Sequence, residues 1–197
     1  ASMWQMMTQE DRYADAPEEE RPHLIAETAM HAYADRARWM VDGGETRWSA
    51  SELSDPTRLQ KDMATYNPNR HTPMTELAQK PARRSENPSG TSFVVVDKNG
   101  GAVACSLTMN NLFGAGRIAP GTGVVLATVP GKGGRGAMSL VPMIVANIHT
   151  SNLYWAGAAS GGVAAPTSLM NVAAQSILAE HTMETAMTAH RVHHGGQ

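Results

Sequence analysis

SFVVVDKNGGAVACSLTMNNLFGAG, Ser92–Gly116, decides the architecture of this chain. From Thr91 the apolar pattern has period two. Phe93–Val96 reads as a strand, Lys98-Asn99-Gly100-Gly101 as a hairpin turn, and Ala102–Met109 as the partner strand. Outward from there, Gly114, Gly116, Gly121 and Gly123 punctuate the chain, and Val124–Val129 is expected to form a further strand. Pro142–Ile148 and Leu153–Ala158 read as a second hairpin turning at Thr150-Ser151-Asn152. Pro166 opens a helix to about Glu180, and a short helix starts near Met183.

Upstream of the hairpin the period is helical. Leu24, Ile25, Ala29, Ala32, Tyr33, Ala37, Met40 and Val41 predict a helix from about Pro22 to Val41, with Gly43-Gly44 ending it. A second helix is expected from Asp55-Pro56, with Leu59, Met63 and Tyr66 on one face. Asn67 to Gly90 holds Pro68, Pro73, Pro81 and Pro88, and is expected to be an extended connection that packs no core. The chain thus divides into a helical segment (1–66), a Pro-rich linker (67–90) and a β-rich region with C-terminal helices (91–197). Hairpins followed by helices, without βαβ units, indicate an α+β fold.

Composition narrows the function classes. The 197 residues are 42% hydrophobic and only 17% charged, with a formal net charge of −2. Scattered Lys and Arg leave no nucleic-acid footprint, and no apolar run is long enough to span a bilayer. Cys105 is the only cysteine, which excludes an internal disulfide, and its apolar surroundings predict a small core residue. No signal peptide is legible at the start. The cluster Met3, Met6 and Met7 demands apolar cover, as the middle of a domain would.

Several motifs have a chemical reading and a plainer one. Gly131–Gly136 lacks the spacing and the Lys-Ser/Thr ending of a phosphate loop, so a surface loop is the better reading. His190 and His194 stand at i, i+4, which would suit a metal only if the helix persisted there. A solvated tail explains them better, and no metal is expected. Glu18-Glu19-Glu20 before Pro22 complements a helix N-terminus.

Ordered landmarks then add a resemblance. Ser92–Gly116 resembles the start of the small subunit of gamma-glutamyltransferases. Ser139-Leu-Val-Pro142 and Gly161-Gly162 follow in that subunit's order, and His31-Ala-Tyr33-Ala-Asp35-Arg36 resembles a helix near the end of the large subunit. The resemblance implies the αββα sandwich of N-terminal-nucleophile (Ntn) hydrolases, here only its C-terminal part. It also implies a chemistry without a cofactor. A threonine freed by self-cleavage attacks a gamma-glutamyl amide, its own α-amine taking the proton, and backbone N–H groups hold the oxyanion.

Carried over residue by residue, the resemblance is uneven. The nucleophile position, counted back from Asp97, is Gly90, which has no oxygen. Thr91 follows it, and Ser92 stands where the family has a histidine. Thr108 matches the threonine that supports the nucleophile, and Asn110 a substrate-contacting asparagine. Ser139 matches one of two carboxylate-holding serines, the other being Met138. Gly161 and Gly162 match the oxyanion glycines. Lys132 falls near the acidic residue that grips the substrate ammonium, and a cation there repels it. Two readings follow. In the first, the chain is an uncut, non-catalytic subunit. It has an obligate partner (a first half of the same fold or another subunit) that covers the opening segment and the sheet edges. In the second, cleavage after Gly90 makes Thr91 the nucleophile of an active gamma-glutamyl hydrolase, transferase or related acylase. A one-residue slip on a strand reverses the face of the side chain, which weighs against Thr91. By resemblance the location is periplasmic or exported.

Overall fold

The computed structural model describes residues 1–40, 46–77, 90–129 and 140–194. The chain is α+β, a mixture of helices and antiparallel hairpins. Two compact units are distinguished. One holds the helices before residue 78 together with the chain from Met170 onward. The other holds the strands, through Leu169.

In the helical unit, α1 (Ser2–Thr8) and α2 (Arg12–Asp15) precede α3 (Arg21–Trp39), which starts on a turn of Glu18–Glu20 and places Pro22 in its first turn. Next come α4 (Ala50–Leu53) and α5 (Pro56–Asp62). Ser49 and Glu52 cap α4 reciprocally, and the Asp55 side chain accepts from the Arg58 N–H to cap α5. Met6, Met7, Tyr13, Leu24, Ile25, Leu59, Met63 and Ala174 form the core, and Trp4, Tyr66, Leu178 and Val192 pack against it. Met6 and Met7 are therefore covered inside this chain, at 0% and 1% exposure. The expectation that another chain must bury the opening segment is corrected there.

The expected apolar stripe of α3 is present, but Glu27, Thr28, His31 and Asp35 are buried too. The segment after α5 explains part of this. Thr72 is fully buried and its N–H donates to the Glu27 carboxylate at 3.1 Å. A connection predicted to pack no core thus carries a buried residue, because a buried carboxylate supplies the acceptor that its backbone needs.

The strand unit contains β1 (Gly90–Val96) paired antiparallel with β2 (Ala102–Thr108), and β3 (Val141–Ala146) paired antiparallel with β4 (Leu153–Ala159). Asp97 organises the first turn. Its Oδ1 accepts from the N–H groups of Asn99 (2.7 Å) and Gly101 (2.9 Å). Asn147 does the same in the second turn, accepting from His149 and Thr150 at 2.9 and 3.1 Å. β4 packs near both β1 and β2, and β3 near β2, without a ladder joining the hairpins. One face of the first hairpin carries Phe93, Val95, Val103 and Leu107, which are 46%, 57%, 58% and 50% exposed. Cys105, opposite Phe93 on that face, is half-buried rather than a core residue.

Val124–Val129 does not form a strand. Only Val125 pairs, as an isolated bridge to Ile118. The glycines turn this stretch into a looser fold-back, in which Ala115 and Ala119 donate to the carbonyls of Leu126 and Val124 at 2.8 Å each. Gly114 has φ +56, and an added Cβ would lie 2.2 Å from the Leu126 oxygen. Gly114→Ala is expected to destabilise the strand unit by roughly 2 kcal/mol, read from its thermal midpoint.

After β4 come α6 (Ala165–Ala173), a π-helical turn (Ala174–Leu178) and α7 (Met183–Thr188). α7 ends where Ala189 turns extended, so His190 and His194 do not share a helix. Among the described residues no group of three or more His, Cys, Asp or Glu side chains is placed to hold a metal ion. No described helix is long and apolar enough to cross a membrane.

Candidate functional site

The register of the first hairpin settles which face each candidate occupies. Gly90 lies opposite Thr108 and Thr91 opposite Leu107. Alternation then puts Gly90, Ser92, Ser106 and Thr108 on one face, and Thr91, Phe93, Val95 and Leu107 on the other. Thr91 is exposed, among the apolar residues of that outer face.

The Gly90 face meets the end of β4. A Cβ built on Gly90 would lie 3.8 Å from the Ser160 Cβ and 3.9 Å from Leu140 Cδ2, while the Leu107 carbonyl oxygen would stand 2.9 Å away. Ser160 leads directly into Gly161 and Gly162, with φ +139 and +65. These are backbone conformations that glycine adopts at little cost. The chain thus brings Gly90, Thr108, Ser160 and the glycine pair to one place.

Thr108 and Asn110 are engaged locally. β2 ends at Thr108, whose hydroxyl accepts from the Asn110 N–H at 3.0 Å. Asn110 adopts a left-handed backbone, φ 57, is 8% exposed, and donates through Nδ2 to the Thr128 carbonyl at 2.8 Å. The Thr128 N–H returns a bond to the Met109 carbonyl at 3.0 Å. The expected alternation of Thr108 and Asn110 along one strand stops at the strand's end. The asparagine amide instead joins two loops.

Reading the sequence missed Ser106 and Ser160. The Ser106 hydroxyl is buried on the Gly90 face with no hydrogen-bond partner among the described residues, as is that of Thr128 in the neighbouring loop. Parity from Gly90 would have found Ser106. Ser160 came to light only through the approach of β4. Ser139, Met138 and Lys132 lie outside the described residues.

In this α+β chain the head of the first hairpin, Gly90, thus stands beside Ser160, which leads into the glycine pair. The chain belongs to the gamma-glutamyltranspeptidase family, whose model matches residues 1–197. Among curated relatives it is 33% identical over 104 residues to a glutathione hydrolase proenzyme of Pseudomonas aeruginosa, covering 53% of this chain and 18% of that protein. It is 29% identical over 103 residues to one of Escherichia coli strain K12, covering 52% and 18%. The match thus spans under a fifth of the length of these relatives. Among solved structures, a gamma-glutamyltranspeptidase from Pseudomonas nitroreducens complexed with L-DON aligns at 27% identity, covering 53% of this chain and 65% of that one, with a TM-score of 0.42.

Proposed function

We propose that this chain is a non-catalytic, uncut gamma-glutamyltransferase-like subunit with a structural or binding role beside a partner. The observation that carries this reading is the register. The residue opposite Thr108 and beside Ser160-Gly161 is Gly90, which has no oxygen to attack an amide. The neighbouring hydroxyl, Thr91, stands on the opposite face, paired with Leu107. Moving it toward the glycine pair would require a slip that turns the whole strand over. Asn110, matched by resemblance to a substrate contact, has its side-chain amide already committed to Thr128.

The partner follows from the uncovered outer face of β1 and β2, where Phe93, Val95, Val103 and Leu107 form one exposed apolar surface. We assign its cover to the first half of the same fold, and by family resemblance place the protein in an exported compartment. The strand unit without that cover is expected to self-associate, and co-expression with the first half to give a stable complex. A monomeric, cooperatively folding chain would remove the partner from this account.

Intact-mass analysis tests the catalytic question. We expect an unbroken chain across Gly90-Thr91, no covalent adduct with a glutamine-analogue inactivator, and identical results for Thr91→Ala. A break after Gly90 together with an adduct lost in Thr91→Ala would restore the active hydrolase.

A further inference from the structure

The helical unit carries a cluster of titratable side chains with no part in the hairpin site. On α3, Glu27 is 2% exposed. Its Oε1 pairs with His71 Nδ1 at 2.6 Å, and its Oε2 accepts from the Thr72 N–H. The His71 ring stacks on the His194 ring, with centroids 5.5 Å apart. His193 meets the Tyr33 ring edge-on at 6.0 Å. Between these contacts and α6, Val192 is held by Asn171, whose Nδ2 donates to the Val192 carbonyl at 3.0 Å and whose Oδ1 accepts its N–H at 3.3 Å. Val192 also packs on the apolar core. Residues 191–194, outside any helix or strand, thus form a strap fastened at three points.

We propose that Glu27, His71, His193 and His194 form an acid-sensitive latch, which holds this strap at neutral pH and releases it as the pH falls. This inference is independent of whether the hairpin site is active. The charge arithmetic favours it. A proton on His194 is placed against the His71 ring and next to His193, and Glu27 is the carboxylate that opposes this repulsion. That carboxylate already serves His71. Of the nearby charges among the described residues, Arg70 pairs with Glu76 at 3.1 Å, and Asp62 of α5 pairs with Arg38 and Arg58. Arg191, at the start of the strap, donates to the Met187 carbonyl at 2.7 Å. On α3, one turn from Glu27, His31 is buried and its Nε2 lacks a partner among the described residues.

The shifts agree in direction. Burial lowers the pKa of His194, and the His71 charge lowers it further, with Glu27 opposing. Burial also lowers His193, helped by the His194 charge. Burial lowers His31 against the pull of Glu27 and Asp62. For Glu27, burial raises the carboxyl, but hydrogen bonds from Thr72 and His71 outweigh it and leave it below its ordinary value. A histidine whose folded pKa is depressed favours the docked state when neutral. That contribution is complete above the ordinary value of 6.5 and is lost as the pH falls below it. Glu27 loses its contribution in the same direction, at lower pH.

Amide hydrogen exchange on the full chain tests the latch. After correction for intrinsic exchange, Val192 protection is expected to fall at least about tenfold between about pH 7.5 and about pH 5, while the α3 amides around Ala29 keep theirs. In the double variant His193→Gln, His194→Gln the Val192 protection should be flat over that range. The His194 ring resonance of the unaltered chain provides a second reading, and should titrate below 6.5 in step with the loss of protection. Unchanged Val192 protection in the native chain, or the same fall in the double variant, would overturn the proposal.

Discussion

Replacing Arg58 by methionine is expected to lower the stability of the helical unit by about 3 kcal/mol, because it strands a buried carboxylate. Asp35 is 2% exposed, and the Arg58 guanidinium makes its principal ion pair. The same Nη1 reaches Asp62 Oδ2 at 2.9 Å, Nη2 donates to the Leu53 carbonyl at 2.8 Å, and Nε donates to that of Glu52 at 3.1 Å. Arg38 bonds the other Asp62 oxygen at 2.6 Å, and the two guanidinium groups lie over the Trp48 ring at 5.5 and 5.0 Å. After the substitution Asp35 keeps the Trp39 Nε1–H at 3.2 Å and Arg38 at 3.6 Å, which hold the loss near the lower end for a broken buried pair. Methionine retains most of the packing volume, so the test removes the charge and its hydrogen bonds with little change in packing. The denaturant midpoint measures it. Adding Asp35→Asn should recover part of the loss; simple additivity would show that the two groups are not coupled.

Gly157→Ala is expected to cost the strand unit about 3 kcal/mol. The Trp155 ring folds over the next residue on its own face of β4, and a Cβ on Gly157 would lie 2.1 Å from Cη2 and 2.5 Å from Cζ3. Trp155 is 8% exposed, so the ring must leave a packed site to make room. Thermal melting should show the loss, and tryptophan emission should shift to the red. In a Trp155→Leu background the same alanine should cost little, because the obstructing ring is gone. Equal costs in both backgrounds would assign the effect to the strand backbone instead. β4 runs into Ser160-Gly161-Gly162, so this packing also sets where the glycine pair stands relative to Gly90.

Neither substitution was legible from local sequence. Asp35 and Arg58 belong to different helices, and nothing in their own segments marks them as partners. Gly157 lies in Leu153–Ala158, whose pattern indicates only a strand; the ring above it is a matter of packing. The elements themselves were plainer. The helix around Leu24–Ala34, the cap at Asp55 and both hairpins follow from periodicity and turn chemistry, which act over a few residues. Val124–Val129 misled for the opposite reason. Its composition suits a strand, but the glycines at 114–123 bend the chain so that only one bridge forms. The buried Thr72 was hidden by the polar, proline-rich residues around it. Its burial depends on Glu27, 45 positions away.

By itself the sequence determined that the chain is α+β, that a hairpin starts near Thr91, and that the residue at its head, Gly90, has no side-chain oxygen. These follow from residue type and short-range spacing. Only the tertiary structure decided that Gly90 faces Thr108 and Ser160 while Thr91 faces the other way, and that His194 rests on His71 and His193 on Tyr33. Strand register and the docking of distant segments depend on contacts between residues far apart in the chain, and no local pattern encodes them.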